Sequence, residues 1–247
     1  MNAETDGVMS TVYLGEVVED YYGTTRNGGQ EVEHRFGCSG IDGVAFGPAF
    51  GKPKSHKNYL NVAYGIYGDT TRTDNDYQVI LSYDVSDWDR YEQVLTQQAP
   101  HRSGPSAPLH KYFVRTGNTS YGIQNLAYDP SSNRWLAAVY RGHKSNYPNY
   151  SLFAIDGTKP ARKAWLEGFD TPTRGEVLSL CEEGLQDSVS GIRGWHVDYG
   201  TTGLCALGNG YWYISHPDNG SDGKHHSSTL YLYRWTGQPQ QPFQRVE

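Results

Sequence analysis

The chain has 247 residues, a formal net charge of −6, 36% hydrophobic residues and 13% aromatics, among them 20 Tyr and 6 Trp. The acidic balance argues against a nucleic-acid partner, which draws on basic surfaces through counterion release, and no apolar run approaches the roughly 20 residues that span a bilayer. Aromatic content on this scale argues against a disordered chain and, with few leucine-rich faces, for aromatic and β-branched side chains packed on half-buried strands.

Residues 1–10 are polar and lack the apolar run of a secretory leader. The same start also suits a mature or truncated form behind an initiator Met. The compartment therefore stays open, with the extracellular or periplasmic space favoured over the cytoplasm. Strands are expected at Val12–Val18 and Glu31–Phe36. A glycine-led block, Gly40-Ile41-Asp42-Gly43-Val44-Ala45-Phe46, follows; then come an aromatic strand at Tyr59–Gly65 and an alternating strand at Tyr77–Asp84. Alternation at period two is the mark of a half-buried strand. A weaker strand at Tyr91–Gln97, a proline-containing link over Ala99–Leu109 and a strand at Lys111–Thr116 complete the first third.

The same order then returns. Gly122–Tyr128, Trp135–Tyr140 and Tyr150–Asp156 repeat glycine block, aromatic strand and third strand, and Gly200–Ala206, Tyr211–Ser215 and Thr229–Trp235 repeat them again. Between them lie expected strands at Glu176–Cys181 and Ile192–Asp198, and short helices near Lys163–Gly168 and Glu182–Ser188. After a second link at Gln238–Pro242, Phe243–Val246 stands where Tyr91–Gln97 stands in the first repeat. Polar clusters at 68–76, 129–133 and 217–223 read as hairpin loops by residue type.

Tyr59, Trp135 and Tyr211 recur every 76 residues, and a fixed period marks a repeat architecture. The expected fold is all-β: one domain over 1–247, with repeats near 31–97, 110–168 and 192–247. The three blocks resemble the meander sheets of a β-propeller, without the dipeptide signatures of its named families. The resemblance implies a central channel with a loop-built mouth. A repeat of about 80 residues exceeds the 40 to 50 of a usual blade. Long blades, unrecognised blades between these, or a homo-oligomer in which two chains complete one ring would each account for it. Ring closure would place Val12–Val18 and Phe243–Val246 in the same or adjacent sheets, sparing two free edges.

The candidate chemistry follows from that arrangement. Asp42, Gln124 and Thr202 hold matched positions in the glycine blocks and would face a shared axis, or else hydrogen-bond within the fold. Upstream lie Arg35, Arg115, Asn118, Tyr121, His196, Asp198 and Tyr199. His196 and Asp198 are two apart and on a strand point the same way, the pattern of a general base or metal ligand beside a carboxylate. Arg35 and Arg115 suit an anionic group, and Tyr121, Tyr199 and Trp195 suit a sugar ring. Trp212, inside an apolar strand, reads as core.

Cys38, Cys181 and Cys205 form neither a disulfide framework nor a zinc site. Cys205 is expected in the core and Cys38 at the surface. The acidic loops invite calcium, but 218–223 lacks the bidentate Glu of an EF-hand, so no metal or other cofactor is expected. Asn118, Asn149 and Asn219 begin N-x-S/T triplets of little weight. No nucleophile-elbow, phosphate-loop, zinc-protease or dinucleotide signature is present.

Three functions fit. The first is a non-catalytic recognition module for a small polar ligand, foremost a glycan, at the channel mouth. The second is a polysaccharide-degrading hydrolase or lyase with Asp42 and Asp198 as its carboxylates and His196 as a further catalytic candidate. The third is a scaffold for protein partners.

Overall fold

The computed structural model describes residues 9–22, 24–27, 30–33, 36–38, 40–66, 68–96, 98–220 and 224–246. In chain order come β1 (Ser10–Thr11), α1 (Gly15–Tyr22), β2 (Thr24–Asn27), β3 (Gln30–Glu33), β4 (Gly43–Gly47), β5 (Tyr59–Gly65) and β6 (Tyr77–Asp84). Next are β7 (Gln93–Val94), β8 (His110–Arg115), β9 (Ile123–Asp129), β10 (Arg134–Val139), β11 (Leu152–Asp156) and β12 (Arg162–Trp165). The last third holds β13 (Arg174–Val177), β14 (Leu185–Gln186), β15 (Arg193–Gly194), β16 (Leu204–Gly208), β17 (Tyr211–Asn219), β18 (His226–Trp235) and β19 (Phe243–Arg245).

Three sheets carry the fold: β12-β13-β8-β6-β5-β4, then β11-β10-β9, then β16-β17-β18-β19. Within them every pairing is antiparallel except that of β8 with β13. The strands that grow from the glycine blocks, β4, β9 and β16, are edge strands of their sheets, and β9 packs against both of the others. Among the described residues no sheet closes into a barrel and no ring of blades is complete.

The middle sheet is buried on both faces. Trp135, Ala137 and Val139 join Ile80, Tyr112 and Val114 of the first sheet in one core. Leu136 and Ala138 turn the other way, toward Leu204, Trp212, Ile214 and Phe243 of the third. This double burial is why 135–139 is an unbroken apolar run rather than an alternating one. The first two sheets approach closely because glycine supplies no side chain between them. A Cβ on Gly47 would lie 2.4 Å from the Trp135 ring, and one on Gly43 2.7 Å from Ile123. In the first two sheets β6, β9 and β11 end on the same device, in which an aspartate carboxylate accepts the backbone N–H two residues on. Ser86 N–H donates to Asp84 at 3.1 Å, Ser131 to Asp129 at 3.0 Å and Thr158 to Asp156 at 2.9 Å. Such Asx turns explain the D-x-S/T spacing.

Several expectations fail, each for a local reason. Val12–Val18 is not a strand: it is a loop entering α1, whose Leu14 and Val17 pack on the far face of the first sheet beside Val62, Tyr64 and Phe113. The helix is held there by Asp20, fully buried, which accepts from Tyr64 and, at 3.0 Å, from Lys111. The chain ends therefore do not meet in one sheet, since β19 pairs with β18 and β1 pairs with β7.

The helices expected near Lys163–Gly168 and Glu182–Ser188 are absent. Arg162–Trp165 is β12, paired with β13, and Asp187 draws its loop into a turn by accepting from Ser190 N–H at 2.7 Å. That local bond competes with a helix. Of Ile192–Asp198 only β15 is strand, and of residues 91–96 only β7, Gln97 lying outside the described residues. Of the loop expected over 217–223, residues 217–219 belong to β17, and 221–223 lie outside the described residues. Cys205 is exposed and Cys38 buried, the reverse of the expectation, because β16 turns Leu204 inward and its neighbour out. Trp212 is core. Among the described residues no helix is long and apolar enough to cross a membrane.

Candidate functional site

Strand register gathers the polar chemistry at one end. Gly43 lies opposite Ala63, Gly65 opposite Gln78, Tyr77 opposite Arg115 and Ile123 opposite Val139. The loops before β4, after β5, between β8 and β9 and after β10 therefore all emerge together. The Thr201 carbonyl, which accepts from Asn125 Nδ2 at 2.6 Å, brings the entry of β16 to the same end. Gly122 closes the seam between the first two sheets: its φ of +77° suits glycine, and a Cβ there would sit 2.0 Å from Gly65 N.

Between the second and third sheets this end opens into a cavity of about 400 Å³ lined by Tyr121, Tyr140, Arg141, His143, Asp198 and Tyr199. Tyr121 is 55% and Tyr140 42% exposed, and their rings meet edge to face at 5.6 Å. Arg141 Nη2 donates to Asp198 Oδ1 at 3.1 Å across the opening. Tyr199 forms the inner wall, stacked on His216 at 4.8 Å and on Tyr233 at 5.3 Å, and burial pushes its hydroxyl up to about 12. Two exposed aromatic rings beside a charged pair can present apolar area to a sugar face and hydrogen bonds to its hydroxyls.

His196 lies beside Tyr150, ring centroids 4.9 Å apart, and burial with Arg141 nearby holds its imidazole below the ordinary value against the pull of Asp198. His216 is lowered likewise, by burial and by Arg245. The unfolded chain titrates near about 6.5, so above that pH neither histidine affects stability. As pH falls through it toward the lowered folded values, the unfolded chain takes up protons first and stability falls. The unfolding midpoint is expected to drop between about pH 7.5 and 5.5, and the His196→Asn, His216→Asn double variant to flatten that drop. An equal slope in both proteins would show that other groups set it.

The remaining expected site residues are placed as follows. Tyr121, Asp198 and Tyr199 share the cavity. Gln124 stands at its edge, donating to the Tyr121 carbonyl at 3.0 Å. Thr202 donates to Ser215, 3.4 Å to the carbonyl. Asp42 is exposed just before β4, with the middle sheet between it and the entry of β16. Asn118 is buried, its Oδ1 accepting the Lys144 backbone N–H at 3.3 Å. Arg115 pairs with Glu167 at 2.6 Å. Arg35 lies outside the described residues. In the 68–76 loop, Asp69 accepts from Thr71 N–H at 2.8 Å and Asp74 from Arg72 Nε at 2.8 Å. Asp69 and Asp74 thus bond within the loop, while Asp76 reaches out of it to Lys144 and Tyr147.

The sequence reading missed the loop after β10. Tyr140, Arg141 and His143 line the cavity from it, and Lys144, 8% exposed, anchors it. Lys144 Nζ donates to Asn75 at 2.7 Å and to Asp76, which also accepts from Tyr147 at 2.9 Å. The available signal was Tyr-Arg-Gly-His-Lys placed directly beyond an apolar strand, where a plain turn needs none of those side chains. Comparison of the chain with family models, curated proteins and solved structures gives no match.

Proposed function

We propose that the protein is a recognition module that binds a glycan at the cavity between its second and third sheets. The observation that carries this reading is the exposed Tyr121–Tyr140 pair set beside the Arg141–Asp198 ion pair at one open mouth. Binding is favoured over glycoside hydrolysis, which generally uses two carboxylates flanking one bond. Among the described residues Asp198 is the only carboxylate lining this cavity, and Arg141 holds it. The fold reading that goes with it is three successive propeller blades, supported by the side-by-side packing of β4, β9 and β16. A scaffold role has one observation of its own: Leu207, Tyr211, Tyr213 and Leu230 leave apolar surface on β16, β17 and β18 of the third sheet.

The test is a glycan array followed by titration of the responding sugar. Tyr121→Ala and Tyr140→Ala are each expected to weaken binding about tenfold, the scale of one aromatic contact beyond its buried area. An array with no response, or a responding sugar bound equally by both variants, would remove the mouth as a glycan site.

A further inference from the structure

A second concavity, sharing no lining residue with the mouth, has a different character. It is a cleft of about 340 Å³ between the outer strands β12 and β13 of the first sheet and the segment 178–193. Three guanidinium groups border it, from Arg115, Arg162 and Arg193, against two carboxylates, Glu167 and Glu182. In a chain of net charge −6 this is a local inversion of sign. Both carboxylates lie at the rim, with side chains 64% and 87% exposed. Arg193 is steadied by a 2.6 Å bond to Gln186 Oε1, while Arg162 has no ion pair among the described residues. Arg115 Nε is buried and without an acceptor. A buried donor left unpaired carries a desolvation cost that an incoming oxygen would relieve.

We propose that this cleft binds a monoanionic carboxylate ligand that also carries hydroxyl groups, of the hexuronate class. Guanidinium forks match carboxylate oxygens in pairs, and a wall of formal charge +1 balances one negative charge. A phosphate dianion would bring a second negative charge that this wall does not balance, with Glu167 already held by Arg115 and Glu182 facing Lys159 at 3.7 Å. Those same two carboxylates, with the Ser179 and Ser190 side of the cleft, offer acceptors to sugar hydroxyls. Trp165, 57% exposed and stacked under Arg174 at 4.5 Å, adds an apolar wall.

Isothermal titration of the full chain with galacturonate and digalacturonate, against galactose and inorganic phosphate at low and high salt, tests this. Uronate binding is expected to weaken with salt. Arg162→Ala and Arg193→Ala each change a solvent-reached side chain, and each is expected to weaken uronate binding about tenfold or more, as loss of a hydrogen bond to a charged group does. Tyr121→Ala, which alters only the mouth, is expected to leave it unchanged, so the two sites fail separately. Uronates that do not bind, that bind both arginine variants as well as the parent, or that bind more weakly than phosphate would overturn the assignment.

Discussion

Lys144→Ala is expected to lower the free energy of unfolding by about 3–5 kcal/mol, the cost of stranding one member of a buried ion pair. Lys144 is 8% exposed and the Asp76 side chain 12%, so solvent does little to screen the pair. Removing the ammonium takes from the Asp76 carboxylate its charged donor, leaving the Tyr147 hydroxyl at 2.9 Å as its side-chain partner among the described residues, and removes the 2.7 Å bond to Asn75 Oδ1. Urea denaturation gives the measurement. Replacing both partners, Lys144→Met with Asp76→Leu, is expected to recover most of the loss, because a buried pair and a well-packed apolar pair differ little in stability. A loss below about 1 kcal/mol, the range of exposed pairs, would mean that the ammonium is solvated. The loop anchored here carries Tyr140, Arg141 and His143, so glycan binding at the mouth should weaken in the single variant even at temperatures where it stays folded.

Trp135→Ala is expected to cost a similar amount, about 3–5 kcal/mol. Trp135 is fully buried where the first two sheets meet, 5.2 Å from the Phe50 ring and 4.9 Å from that of Tyr128. Surroundings packed in two sheets relax only partly when so large a ring is removed, so a cavity remains. The partner of this ring is an absence: Gly47 has no Cβ where one would lie 2.4 Å from it. Gly47→Ala should therefore destabilise the parent strongly by overpacking. In a Trp135→Leu background the same change should cost much less, and a double-mutant cycle read by thermal unfolding reports that coupling. Additive effects would show that the glycine is required for some other reason.

These two sites also mark how far the sequence could be read. The glycine-led blocks, the aromatic strands that follow them and the alternating third strands were legible as strands because period-two alternation and strand-forming residue types are local properties, recorded residue by residue. Trp212 as core followed from its apolar neighbours in the same strand. Tyr121, Asp198 and Tyr199 were legible as candidates from their place just before the blocks, although nothing in the sequence brought Tyr140 and Arg141 to join them.

What depended on tertiary structure was which partners meet. Val12–Val18 is apolar enough to read as a strand, yet the apolar face of the first sheet takes Leu14, just before α1, and Val17, within it, instead. Cys205 sits in an apolar run but faces out, because register with β17, Leu204 opposite Ile214 and Cys205 opposite Tyr213, decides the side. Lys144 and Asp76 are 68 residues apart, and a buried ion pair between loops leaves no spacing, period or composition from which it can be read. Strand type was set by the chain itself, since backbone sterics and alternation act within a few residues. The two cavities, the buried pair that shapes one of them and the arginines that border the other exist only where separate sheets pack together.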